Sequence, residues 1–202
     1  MKTIETNVYT LSELSAAAKE KAREWYRNAS ASDNDGAEYV IEDAKSLFAG
    51  CGIEIDRVYY RGFWSQGDGA CFEGTWRASD VKPGAVREYA PKDEEAQRIA
   101  REFERIATLF PLASFTVKHS GYYYHKHCTD FTFYFPDADG NETDAPGAND
   151  AEEALTEAAK DAMRWIYASL ESDYEWRNSD EQVDEMIEAN EYTFTESGRR
   201  FG

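Results

Sequence analysis

Residues 53 to 76 read "IEIDRVYYRGFWSQGDGACFEGTW", and this stretch constrains the fold more than any other. Ile53 and Ile55 alternate with polar residues, Val58 and Tyr60 follow, and a bulge is expected at Gly62. Phe72, Gly74 and Trp76 share the opposite register beyond a polar tip, Ser65-Gln66-Gly67-Asp68-Gly69. Alternation at a period of two puts every second side chain on one face of a strand. A small polar run rich in glycine between two such strands is the signature of a hairpin. The same pattern returns in "ASFTVKHSGYYY" and "TDFTFYF", where Phe115, Val117 and His119 alternate, and then Phe131, Phe133 and Phe135. A chain with these four runs must build an antiparallel sheet and must cover its aromatic face.

Helical periods supply the cover. Residues 12–28 carry Leu14, Ala18, Ala22 and Trp25 at helical spacing, with Ser12 as N-cap and Lys and Arg on the outer face. After a polar loop at 29–36, a second helix is expected over about 37–49, stopping at Gly50. A third spans about 92–109, with Ile99, Phe103, Ile106 and Ala107 inward and Pro111 as its limit. A turn-rich acidic connector at 136–150 leads into a long helix over about 151–172, with Leu155, Ala159, Ala162, Ile166 and Leu170 inward. A short helix over about 180–189 begins at Ser179, with Gln182 placed as in a capping box. "EYTFT" is expected to close the sheet as a last strand. The order ααββαββααβ predicts an α+β fold, with a sheet of four to five antiparallel strands and helices packed on it. With 202 residues, a single domain 1–202 is expected, with an acidic helical part from about 151.

Charge is the outlier. There are 22 Lys and Arg against 40 Asp and Glu, a net −18. Such a surface repels phosphates, so direct binding to DNA, RNA or an anionic membrane is not expected, and a basic protein surface is the expected partner. Three cysteines, Cys51, Cys71 and Cys128, lack CxxC spacing and predict neither a disulfide framework nor a zinc site. No signal peptide is read at the N-terminus, and no run approaches the ~20 apolar residues of a membrane span, so the cytoplasm is the expected compartment.

Four segments are candidates for chemistry. The tip at 63–76 is either a hairpin turn or a contact loop using Trp64, Gln66 and Asp68; the hairpin has priority, because no phosphate-binding glycine pattern is present. "HSGYYYHKHC" gathers His119, His125, His127 and Cys128, an alternative metal or nucleophile site. A turn at His125-Lys126-His127 is expected to splay the pair apart on a tip, so no metal, cofactor or catalytic residue is assigned. "DADGNETD" imitates a calcium loop. Counted from Asp137, however, its sixth position is Glu142 and its twelfth Ala148, where glycine and glutamate are needed.

The fourth segment is the strongest. Between Glu152 and Glu196 stand fourteen acidic residues and three basic ones, Lys160, Arg164 and Arg177, a net −11. On the short helix Glu181, Asp184, Glu185 and Glu188 fall at i, i+3, i+4 and i+7, with Glu191 just beyond. That spacing lines carboxylates along one face, successive turns lying about 5.4 Å apart, close to the spacing scale of nucleic-acid phosphates. The competing reading is an acidic face that only keeps the protein soluble.

Taken in order, "LSELSAAAKEKAREWYR", "GFWSQGDGACFEGTW", "RWIYASLESDYEW" and "DEMIEANEYTFTESGRR" resemble an uncharacterised family of acidic proteins encoded by bacteriophages, prophages and related mobile elements. Some members are labelled "antitoxin of toxin–antitoxin stability system". The resemblance implies no catalytic residues. Added to the charge, it implies a non-enzymatic protein of the bacterial host cell that inhibits a host defence complex, such as a CRISPR effector or restriction nuclease. It would do so by stoichiometric binding as a DNA mimic. The alternatives are an antitoxin that neutralises a basic toxin, and a metal-binding or enzymatic protein built on the histidine cluster.

Overall fold

The computed structural model describes residues 5–31, 35–137, 139–141 and 146–202. The chain forms two compact units, Met1–Ala37 with Ser172–Gly202, and Glu38–Glu171. Of the polar loop at 29–36, residues 32–34 lie outside the described residues, as do residues 138 and 142–145 of the connector and of the calcium-like run.

The larger unit is α+β. Helix α2 (Asp35–Ala49) leads into a four-stranded antiparallel meander in the order β1-β2-β3-β4: β1 (Ile53–Arg61), β2 (Gly69–Arg77), β3 (Ser114–His119) and β4 (Thr129–Tyr134). A short helix α3 (Ala85–Tyr89) and the longer α4 (Glu94–Leu109) stand between β2 and β3, and α5 (Ala148–Arg177) follows β4. The register puts Ile53 opposite Trp76, Trp76 opposite Phe115, and Phe115 opposite Phe133. Period-two alternation therefore stacks the apolar residues of four strands into one face, where Ile53, Ile55, Phe72, Trp76, Phe115 and Val117 are buried. The irregularity in β1 is a register shift between Ile55 and Arg57, earlier than the bulge expected at Gly62.

Helix α4 covers this face because Ala96, Ile99, Ala100, Phe103 and Ile106 form one buried stripe. Phe103 meets Trp76 with ring centroids 5.9 Å apart. Each large side chain fully buried in this way contributes about 1.5–3 kcal/mol. Asp93 caps α4 through the Ala96 amide (2.8 Å), and its other oxygen accepts the indole N–H of Trp165 from α5 (2.7 Å). One carboxylate thus starts one helix and holds a second. Strands β1, β3 and β4 alternate towards solvent on the other face, with Glu54, Thr116, Lys118, Asp130 and Thr132 exposed.

The smaller unit contains α1 (Ala16–Ser30), the last turns of α5, and α6 (Asp180–Ala189). Helix α1 starts later than expected. Leu11–Glu13 form a separate 3-10 turn, and Ser15, not Ser12, accepts from the Ala18 amide as N-cap. Ser179 caps α6 through the Gln182 amide as expected. The core of this unit is Leu11, Ala22, Val183, Ile187 and Phe194, packed by Leu14, Trp25, Tyr26 and Tyr192. "EYTFT" does not close the sheet. Phe194 instead makes isolated bridges to Tyr9 and Arg200, because its ring is drawn edge-on to Trp25 at 5.8 Å in a separate core.

Candidate functional site

The expected carboxylate row splits in two on folding. Glu181, Glu185, Glu188 and Glu191 are exposed, and none has a cation partner among the described residues. Asp184 does not join them. Its side chain is about one-quarter exposed and receives two hydrogen bonds of 2.7 Å from the Arg23 guanidinium, with Lys19 at 3.8 Å. Asp180 is held by Arg23 and Arg27, each at 2.5 Å. Arg23, Arg27 and Lys19 were expected on the outer face of α1, yet they point to α6. Helical spacing at 19, 23 and 27 puts the three cations on one stripe, and α6 lies over it.

The forked geometry has electrostatic consequences. Hydrogen bonds from Arg23, the largest cause, hold the Asp184 carboxyl below its ordinary range, while its partial burial opposes them. A carboxylate with a depressed folded pKa contributes its full stabilisation above the ordinary carboxylate range near pH 4, and loses it as pH falls through the folded value. Arg23→Ala is expected to cost about 1–3 kcal/mol at pH 7, since it removes both guanidinium hydrogen bonds to the partly buried Asp184 and leaves it only Lys19 at 3.8 Å, while Asp180 keeps Arg27. Urea denaturation of the variant and the wild type at pH 7 and again near pH 2 should show the difference shrinking in acid. An unchanged difference would mean that packing of the arginine stem carries the effect.

The loop residues belong to the larger unit. Residues 62–68 join β1 to β2, so the hairpin reading holds. Asp68 builds this turn from within: one oxygen accepts from the amides of Trp64 (2.9 Å) and Ser65 (2.6 Å). Its carboxylate is therefore engaged in the loop and is not presented as a contact. Gln66 and the Trp64 ring are exposed, the latter by 68%, while Phe63 packs on Tyr167 at 5.6 Å. The Tyr123 ring lies against Gly67, where φ is 92°. The hairpin tip is thus braced by the β3–β4 connection.

The histidines divide as well. His119 lies tilted against Tyr59 at 4.9 Å and meets Tyr124 edge-on at 5.3 Å. His125 and His127 do not splay apart; their rings stack at 4.9 Å, and the His127 amide donates to His125 Nδ1 at 3.2 Å. That bond requires an unprotonated Nδ1. Burial, with help from His127 and Lys126, pushes the His125 pKa down in the same sense. Among the described residues no group of three or more His, Cys, Asp and Glu is arranged to hold a metal ion. Burial pushes the Cys51 and Cys71 thiols up to about 12, so neither is a thiolate at neutral pH.

Against this geometry, residues 37–180 match the model of a family described as Domain of unknown function (DUF8835). The chain belongs to this family. The DUF8835 match takes in the whole sheet and α5 and stops at the first residue of α6, so Glu181, Glu185, Glu188 and Glu191 lie beyond it, whereas Trp64, Gln66 and Asp68 lie within it. No curated protein and no solved structure matches the chain. Among the described residues of this DUF8835 member no helix is long and apolar enough to cross a membrane.

The sequence reading did not single out Arg23 and Arg27 as the groups that decide which carboxylates stay available. Their signal was present in the i,i+4 spacing of cations on α1, but no local pattern pairs α1 with a helix more than 150 residues away. A cleft beside β1, lined in part by Lys45 and Lys82, also went unread, because it forms only once the strand register is set.

Proposed function

We propose that this protein is a non-enzymatic inhibitor that binds stoichiometrically to a basic, nucleic-acid-binding surface of a host defence complex, a CRISPR effector or restriction nuclease, and occupies it as a mimic of nucleic-acid charge. The observation that carries this reading is the row Glu181, Glu185, Glu188 and Glu191, exposed and without cation partners among the described residues. On the same helix Asp180 and Asp184 are neutralised by arginine, which sets the open row apart from its paired neighbours. The net −18 supports the reading too, since it speeds encounter with a basic partner and makes binding salt-sensitive. The resemblance to acidic phage and prophage proteins supplies the class of target.

The test is capture of partners from bacterial lysate by tagged protein at low salt, with elution at about 0.5 M salt, where the Debye length falls to only a few ångströms. A nucleic-acid-binding complex displaced by duplex DNA is expected. The triple variant Glu181→Lys, Glu185→Lys, Glu188→Lys is expected to lose it while keeping its thermal midpoint, because exposed substitutions change stability by about 0.5 kcal/mol or less. Equal capture by the triple variant would overturn mimicry. A single small basic toxin in the eluate would replace it with the antitoxin reading.

A further inference from the structure

The outer edge of β1 carries a second kind of site, unrelated to the α6 carboxylates and lying inside the family-matched region. Among the described residues no strand pairs with β1 on the side away from β2. The Arg77 amide donates to Gly52 O at 3.1 Å, while Ile53 is the register partner of Trp76. In an antiparallel ladder this makes Ile53–Trp76 a wide pair that exchanges no hydrogen bonds, so the N–H and C=O of Ile53 point away from β2. Two residues on, those of Ile55 do the same. Both side chains are buried, which pins the backbone of an otherwise open edge. The shift after Ile55 limits the flat stretch to a few residues.

A cleft of about 550 Å³ runs beside this stretch. It is lined by Lys45 and Ala49 of α2, by Gly52 and the first residues of β1 to Ile55, and by the turn from Ser79 to Lys82. The volume falls within the range of about 300–1,000 Å³ that suits ligand sites. Both carboxylates on the cleft are already engaged, since Glu54 and Asp80 share Arg77 at 3.2 and 3.6 Å. Lys45 is paired with Glu42 at 2.7 Å. Lys82 is exposed and has no acidic partner among the described residues. The two lysines and two carboxylates of the lining balance in number, and Lys82 is the one of the four without an ion-pair partner among the described residues.

We propose that the β1 edge binds an extended acidic segment of a partner protein by strand addition. Its backbone pairs with Ile53 and Ile55, and a side-chain or C-terminal carboxylate meets Lys82. Backbone pairing supplies affinity, and Lys82 selects for negative charge. Ala49 leaves room for the incoming strand, as its methyl group is the smallest side chain that could line that wall.

The test uses the full chain and a displayed library of random peptides of about twelve residues. Selected peptides are expected to be acidic and strand-forming, and to slow amide exchange at Ile53 and Ile55 on binding. Ala49→Trp fills the cleft from an exposed position and is expected to abolish binding; Lys82→Glu is expected to weaken it about tenfold. Both variants should keep the wild-type circular dichroism and thermal midpoint. The proposal falls if selection yields nothing or yields basic peptides, if Ala49→Trp binds as well as wild type, or if exchange at Ile53 and Ile55 is unaffected. It also falls if the wild type alone forms a dimer that Ala49→Trp dissociates, since the edge would then serve a second copy of the chain.

Discussion

Trp76→Ala is expected to cost about 3–5 kcal/mol, the range for deleting a fully buried large aromatic side chain. Three contacts converge on this residue. Its ring stacks on Phe115 at 5.6 Å, meets Phe103 of α4 at 5.9 Å, and donates its indole N–H to Cys51 O at 2.9 Å. The side chain has no exposure at all, so truncation leaves a void between the sheet and its covering helix. It also removes a hydrogen bond to a buried carbonyl, and an unsatisfied buried acceptor adds about 1–3 kcal/mol to the loss. Trp76→Phe separates the two effects: it keeps most of the packing and forfeits only the indole donor. Urea denaturation followed by far-ultraviolet circular dichroism should show the midpoint falling by about 1 M or more for Trp76→Ala, and by clearly less for Trp76→Phe. A shift below about 0.3 M for Trp76→Ala would mean that Phe103 and Phe115 close over the void unaided.

Gly198→Ala is the second large effect, in the smaller unit. Gly198 adopts φ of 82°, in the left-handed region, and a Cβ there would lie 2.1 Å from the carbonyl oxygen of Ala18 in α1. The obstacle is helix backbone, which cannot swing aside as a side chain does. Conformational strain of about 1–3 kcal/mol and a comparable overpacking cost lead to an expected loss of about 3 kcal/mol or more. The Gly198 amide donates to Thr195 O at 2.9 Å, so the turn that returns Arg200 to Phe194 shifts with it. Gly140→Ala is the matched control. Its φ is also 82°, but nothing lies within 4 Å of the added carbon, and a loss of only about 1 kcal/mol is expected from conformation. Thermal unfolding of the two variants side by side decides the point. Equal losses would mean that backbone conformation, not the approach to α1, makes Gly198 necessary.

The two substitutions act on features of different legibility. Trp76 was readable as core from the alternation of Phe72, Gly74 and Trp76, and Ile99, Phe103 and Ile106 were readable as the covering stripe. Periodicity is a property of neighbouring residues, so it survives without knowledge of the fold. Gly198 was not readable, because its necessity comes from α1 passing within contact distance of a turn about 180 residues later. The same division runs through the candidate site. That Glu181, Glu185 and Glu188 share a helix face follows from spacing alone. That Asp184 leaves their company follows from Arg23, and nothing local marks the pairing. Nor does alternation in "EYTFT" reveal that Phe194 joins Tyr9 and Trp25 and not the sheet.

By itself the sequence determined the α+β class, the hairpin around residues 63–68, the apolar face of each element and the acidic excess, because each depends on composition or on a period of a few residues. Tertiary structure alone decided what covers each face. It chose which carboxylates meet arginine and which stay open, and it set the outer edge of β1 beside a cleft. The physical reason is that a period names the side of a helix or strand that must be buried, while the partner that buries it is brought in from far along the chain by the packing of the whole unit.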